Sequence, residues 1–141
     1  MSNYDTSRTM GAEKRFRDEG PAAVTDIATT GRALPHPERE QIRLESVLHA
    51  LSDPIRLEIV CELAARESEL SCSQFDLPVT KSTTTHHFRV LRESGVIRQV
   101  YRGTAKMNGL RRGDLEDLFP GLLDSLLAAA GRQAVRLREG G

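Results

Sequence analysis

A mainly α-helical domain carrying one small two-stranded β-ribbon is what the sequence predicts, and three observations predict it. Apolar residues recur at spacings of three and four along most of the chain beyond residue 38, which is the signature of one helix face turned to a core. Two short β-prone segments flank Arg102-Gly103, where glycine offers the positive φ that a tight hairpin needs. Aromatic residues make up only 4% of the 141 and Trp is absent, so Leu, Ile, Val and Ala must supply the packing, which suits helices better than a sandwich.

Residues 1–37 mix small, polar and charged side chains without a period, and Leu34-Pro35-His36-Pro37 punctuates their end. They read as a flexible arm, in which a short helix over 22–28 would need a partner surface. From Glu38 to Leu51, the positions Leu44, Val47, Leu48 and Leu51 trace an amphipathic helix. Asp53 then caps a second helix and Pro54 occupies its first position, where a missing N–H costs nothing. That helix runs to about Arg66 with apolar residues over a wide arc, so it belongs at the centre.

Ser68 to Val79, interrupted by Pro78, leaves room for a short third helix around Cys72–Asp76. A fourth covers Thr80 to Ser94, with Ser82 able to cap it, Phe88 and Leu91 facing inward, and Gly95 ending it. Its opening run of Ser82, Thr83, Thr84 and Thr85 is a poor helix former, so propensity does not explain it. Ile97–Tyr101 and Thr104–Asn108 make the ribbon. A last helix starts at Asp114, carries Leu115, Leu118, Phe119, Leu122, Leu123, Leu126, Leu127 and Ala130, and is kinked at Pro120-Gly121. One domain over 38–131 and a tail over 132–141 follow.

This order of elements is the winged helix-turn-helix arrangement, whose polar-tipped helix enters the DNA major groove. Lys plus Arg equals Asp plus Glu, 20 each, yet between Val79 and Arg112 eight basic residues face Glu93 alone, a local net charge of +7. Such segregation favours phosphate binding. It also gives the hydroxyl run a reason: small polar side chains let a helix approach a duplex closely, whereas the bland alternative is a solvated, Ser-capped helix end. Candidate DNA-binding residues are Lys81, Ser82, Thr83, Thr84, Thr85, His86, Arg89, Arg92, Tyr101, Arg102 and Lys106. The last helix carries more Leu than a small domain can cover, so a homodimer is expected through Leu44, Leu48, Leu122, Leu123, Leu126 and Leu127.

Three stretches, Leu51-Ser52-Asp53-Pro54-Ile55-Arg56-Leu57, Lys81 through Ile97 and the Tyr101-Arg102-Gly103 wing, resemble the ArsR/SmtB family of bacterial repressors over about residues 40–130. The resemblance implies a dimer joined through its first and last helices, bound to a near-palindromic operator and released by an inducer. Many members sense metals through a Cys-x-Cys near the third helix or through Asp and His pairs on the last. Here Cys72 has serine neighbours and no His or Cys follows His87, so no metal and no cofactor is expected.

Cys72 is the candidate redox sensor, while Cys61 reads as a packed small hydrophobe. His49 is read as a helix-packing or dimer-seam residue and His87 as facing the fold. With no long apolar segment, a cytoplasmic protein without a membrane partner is expected. Two other classes compete: a winged-helix module for protein partners that does not read DNA, and a thiol enzyme using Cys72 with His86 or His87, which lacks a third member and a phosphate loop.

Overall fold

A computed structural model describes residues 32–66 and 68–140. Most of the arm, including the helix expected over 22–28, lies outside the described residues. Five α-helices are described: α1 (Leu44–Leu51), α2 (Pro54–Arg66), α3 (Lys81–Glu93), α4 (Arg112–Leu118) and α5 (Leu122–Gly140). The strands are β1 (Arg32–Ala33), β2 (Leu70–Ser71), β3 (Ile97–Arg102) and β4 (Ala105–Leu110), in sheet order β1-β3-β4-β2. β3 and β4 form the wing, antiparallel from Ile97 opposite Leu110 to Arg102 opposite Ala105, with Gly103 at φ +66° in the turn. The expected two-stranded ribbon is thus the centre of a wider sheet, since β2 pairs with β4 through Leu70 opposite Asn108. The two outer strands are two residues long, too short to leave a period in the sequence.

Other boundaries shift for local reasons. The first helix begins at Leu44, and the residues before it form a 3₁₀ turn, Arg39–Gln41, closed by the Glu38 amide on Gln41 Oε1 at 2.7 Å. The expected third helix is a single 3₁₀ turn, Cys72–Gln74, closed in the same way by the Ser71 amide on Gln74 Oε1 at 2.7 Å. What was expected as one kinked last helix is two, separated at Phe119–Gly121, because Pro120 has no N–H to continue α4 and Gly121 turns the chain at φ +80°. α5 then continues to Gly140, so residues 132–140, read as a tail, are helical.

The core gathers around α2, as its wide apolar arc predicts. Ile59 and Val60 are fully buried, packed in one cluster with Val47 and Ala50 of α1, Phe88 and Leu91 of α3, and Ile97 of β3. Each such side chain contributes about 1.5–3 kcal/mol on burial. Leu123, expected at a dimer seam, belongs to this cluster at 4% exposure, because the turn at Gly121 sets the start of α5 down on Val47, Leu51 and Leu115. Gly95 ends α3 at φ +90°, and a Cβ there would lie 2.5 Å from Ile42 Cγ1, so the helix-to-wing turn tolerates no side chain.

Candidate nucleic-acid interface

α3 is positioned from its inner face. Phe88 is buried and meets Phe75 edge-to-face at 5.3 Å, which seats the helix on the 3₁₀ turn before it. Beside it, His87 is buried and its Nδ1 lies 3.2 Å from Arg56 NH1 and 3.8 Å from Asp53 Oδ2. The Arg56 guanidinium, itself buried, donates to the Ala50 carbonyl at 2.6 Å and the His49 carbonyl at 3.4 Å. Asp53 accepts from the amides of Ile55 (2.9 Å) and Arg56 (3.1 Å), the cap foreseen from its place before Pro54. Burial alone would raise the Asp53 carboxyl, but the Arg56 amide, His87 and the Arg56 guanidinium outweigh it and hold the group below its ordinary range. One polar node therefore locks α1, α2 and α3 together, with His87 turned into the fold as anticipated and His86 exposed beside it.

The outer face of α3 begins with Thr80, not Ser82, as the cap: Thr80 Oγ1 accepts from the Thr83 amide at 3.2 Å. Thr84 Oγ1 donates to the Thr80 carbonyl at 2.9 Å and Thr85 Oγ1 to the Lys81 carbonyl at 3.1 Å, so both hydroxyls bond back to the carbonyl four residues earlier. Lys81, Ser82, Thr83, Thr85, His86 and Arg89 are exposed and Thr84 half-buried. An open cleft of about 490 Å³ separates this end of α3 from the wing and brings Lys81, Thr84, Thr85 and Lys106 around one opening. Lys106 also lies over the Tyr101 ring, 5.7 Å from its centroid.

Other predicted site residues are engaged elsewhere. Arg102 at the wing tip makes a two-pronged ion pair with Glu69, at 3.0 and 3.2 Å. Arg92 is turned away from the outer face, donating to Gln99 Oε1 at 2.6 Å and the Pro35 carbonyl at 3.1 Å. Arg111 is buried on Asp114 and the Pro37 carbonyl, and Arg112 lies 3.7 Å from Asp124. Half of the eight cations counted in the sequence are thus held by protein acceptors; of the others, Lys81, Arg89 and Arg98 are exposed and Lys106 is half-buried over Tyr101.

Sequence reasoning missed Arg56 and the buried pair Gln99 and Asn108, joined at 2.7 Å. Arg56 left a signal, being the one cation within an otherwise apolar arc of α2. Cys72 Sγ accepts from Asn108 Nδ2 at 3.3 Å, and Cys61 is half-buried, its thiol pushed up first by burial and then by Glu58. Among the described residues, no three His, Cys, Asp or Glu side chains are grouped to hold a metal ion, and no helix is long and apolar enough to cross a membrane.

A family model described as a helix-turn-helix domain matches residues 51–100. The chain is 34% identical over 89 residues to YceK, an uncharacterized HTH-type transcriptional regulator of Bacillus subtilis (strain 168), covering 62% of this chain and 88% of that protein. Among solved structures, it is similar to an ArsR family transcriptional regulator at 18% identity and a TM-score of 0.49, over 68% of this chain and 96% of that one. It is also similar to the transcriptional repressor BigR from Xylella fastidiosa, at 26% identity and a TM-score of 0.44, over 54% and 85%. With α3 inside the matched segment, together with the two longer ArsR/SmtB-like motifs, the chain belongs to the helix-turn-helix family of transcriptional regulators, which are not enzymes.

Proposed function

We propose that the chain is an ArsR-like repressor that acts in the cytoplasm, binds a near-palindromic operator as a homodimer, and is released by an effector. The observation that carries this reading is the outer face of α3: hydroxyls, His86 and Arg89 stand exposed next to a wing bearing Lys106, while the opposite face is anchored in the core. In a dimer the two α3 helices would sit roughly 34 Å apart, one turn of DNA. The dimer seam is assigned to α1 and α5, where Leu44 and Leu48 are 43% and 42% exposed and Leu122, Leu126 and Leu127 are half-buried. Val135 and Leu137, in the unforeseen extension of α5, lengthen the same apolar run.

Selecting bound duplexes from a random library with the full-length protein tests this directly. The expected result is a two-fold related consensus, whose binding is repeated with oxidant, zinc and chelator to find the class of effector. Oxidant sensitivity lost in Cys72→Ser would assign the redox role to that thiol. Leu48→Glu together with Leu127→Glu should give a monomer by light scattering, with weakened operator binding. Retention of no duplex, by a protein of dimeric mass, would favour a module for protein partners instead.

A further inference from the structure

We propose that residues 34–37 act as a brace that sets the recognition helix against the wing, with Arg92 and His36 as positioning residues for DNA reading. The inference rests on the DNA-binding role proposed above. α3 and β3 are joined only by the tight turn at Ser94–Val96, so their mutual angle depends on contacts beyond that turn. The core supplies some of these through Leu91 and Ile97, and the short segment adds polar ones from three sides. The Leu34 amide donates to the Gln99 carbonyl at 3.2 Å, and the Gln99 amide donates to His36 Nε2 at 2.8 Å, so both backbone groups of this fully buried β3 residue depend on the segment. From the last turn of α3, Arg92 donates Nε to the Pro35 carbonyl at 3.1 Å and NH1 to Gln99 Oε1 at 2.6 Å, spanning brace and wing with one planar group. Arg111, just beyond β4, donates to the Pro37 carbonyl at 2.9 Å.

His36 accepts a proton-borne bond, so the ring must be neutral in this arrangement. Burial, and then Arg111, Arg98 and Arg92 around it, lower its pKa to about 4 against the opposing pull of the Leu34 backbone. Without the segment, the Gln99 amide and carbonyl and the Arg92 Nε would lose their partners where little water replaces them. The recognition helix would then keep its core contacts and the direct Arg92–Gln99 bond, but that bond would lose the Pro35 carbonyl that fixes the orientation of the Arg92 fork.

The test uses full-length protein, a fluorescein-labelled duplex selected from a random library by the wild type, and a scrambled duplex of equal composition, read by anisotropy. Arg92→Lys keeps the charge but cannot reproduce the fork, and His36→Ala changes no charge on the outer face. Both should bind the selected duplex about tenfold more weakly and the scrambled one within about twofold of wild type, while still melting cooperatively. Wild-type discrimination in both variants would overturn the brace, and so would an Arg92→Lys protein as selective as wild type beside an Arg92→Gln protein weakened equally on both duplexes, the pattern of a phosphate contact. Should His36→Ala fail to fold, hydrogen exchange on the wild type decides: the Leu34 and Gln99 amides should stay protected when the selected duplex binds, and their release would sink the proposal. A wild type that selects no duplex would instead overturn the DNA reading beneath it.

Discussion

The first turns of α3 and its last turn are both polar, yet they face opposite ways. At the start, Ser82, Thr83, Thr85 and His86 are exposed and their hydrogen bonds stay within the helix. Toward the end, His87 is drawn onto Arg56 and Asp53, and Arg92 onto Gln99 and Pro35. Adjacent histidines, His86 and His87, fall on the two sides of this divide. Polarity alone does not distinguish a side chain that meets a ligand from one that aims the helix, and the acceptors around it do.

The strongest way to break the comparison is to remove the inner anchor. Arg56→Met should cost about 3 kcal/mol, because two carbonyls and His87 lose a buried charged donor. A urea midpoint unchanged from wild type would show that α3 is held without the node. On the outer side, Thr84→Ala and His86→Ala should each take up to about 1–3 kcal/mol from operator discrimination. Their melting should stay within about 0.5 kcal/mol of wild type. Equal selectivity in a competition titration would remove them from the reading face.

A smaller effect separates the brace from both faces. An unfolded His36 protonates near 6.5 and the folded ring near about 4, so between these values the unfolded chain binds a proton that the folded chain lacks. Stability from this group is complete above pH 6.5 and falls as pH falls toward 4. Allowing for the solvent that still reaches the ring, the loss should be about 1–2 kcal/mol, and His36→Gln should flatten that acid limb in thermal melts. Smallest of all is the wing tip. Glu69→Gln should release Arg102 for the duplex, raising affinity about twofold and steepening the salt dependence by about one counterion. An unchanged salt slope would mean that Arg102 does not reach the phosphates.

Much of this arrangement was legible because it is local. The Asp53 cap before Pro54, the glycine stop at Gly95, the Gly103 hairpin and the inward phase of Phe88 and Leu91 all follow from neighbours in sequence. What escaped depends on partners far along the chain: β2 pairs across 38 residues, Leu70 with Asn108, and residues 34–37 reach Arg92, Gln99 and Arg111. The charge count suffered in the same way. Eight cations in a row of sequence gave a basic segment, but only the fold shows which of them already have an acid or a carbonyl to hold. Likewise Leu123 and Leu127 share one helix and one residue type, and only the turn at Gly121 decides that the first is core.

The back-bonded threonines of α3 have a chemical consequence for any duplex laid against them. The hydroxyl protons of Thr84 and Thr85 are already given to the Thr80 and Lys81 carbonyls, so what these side chains hold outward is lone pairs. A phosphate has only acceptors and gains nothing from such a surface unless a helical bond is first broken. The exocyclic amino groups of adenine and cytosine, donors at the floor of the major groove, are the partners that match it. On the DNA-binding reading proposed above, Thr84 and Thr85 would suit the edges of bases more than the backbone around them, leaving phosphate contacts to neighbouring side chains.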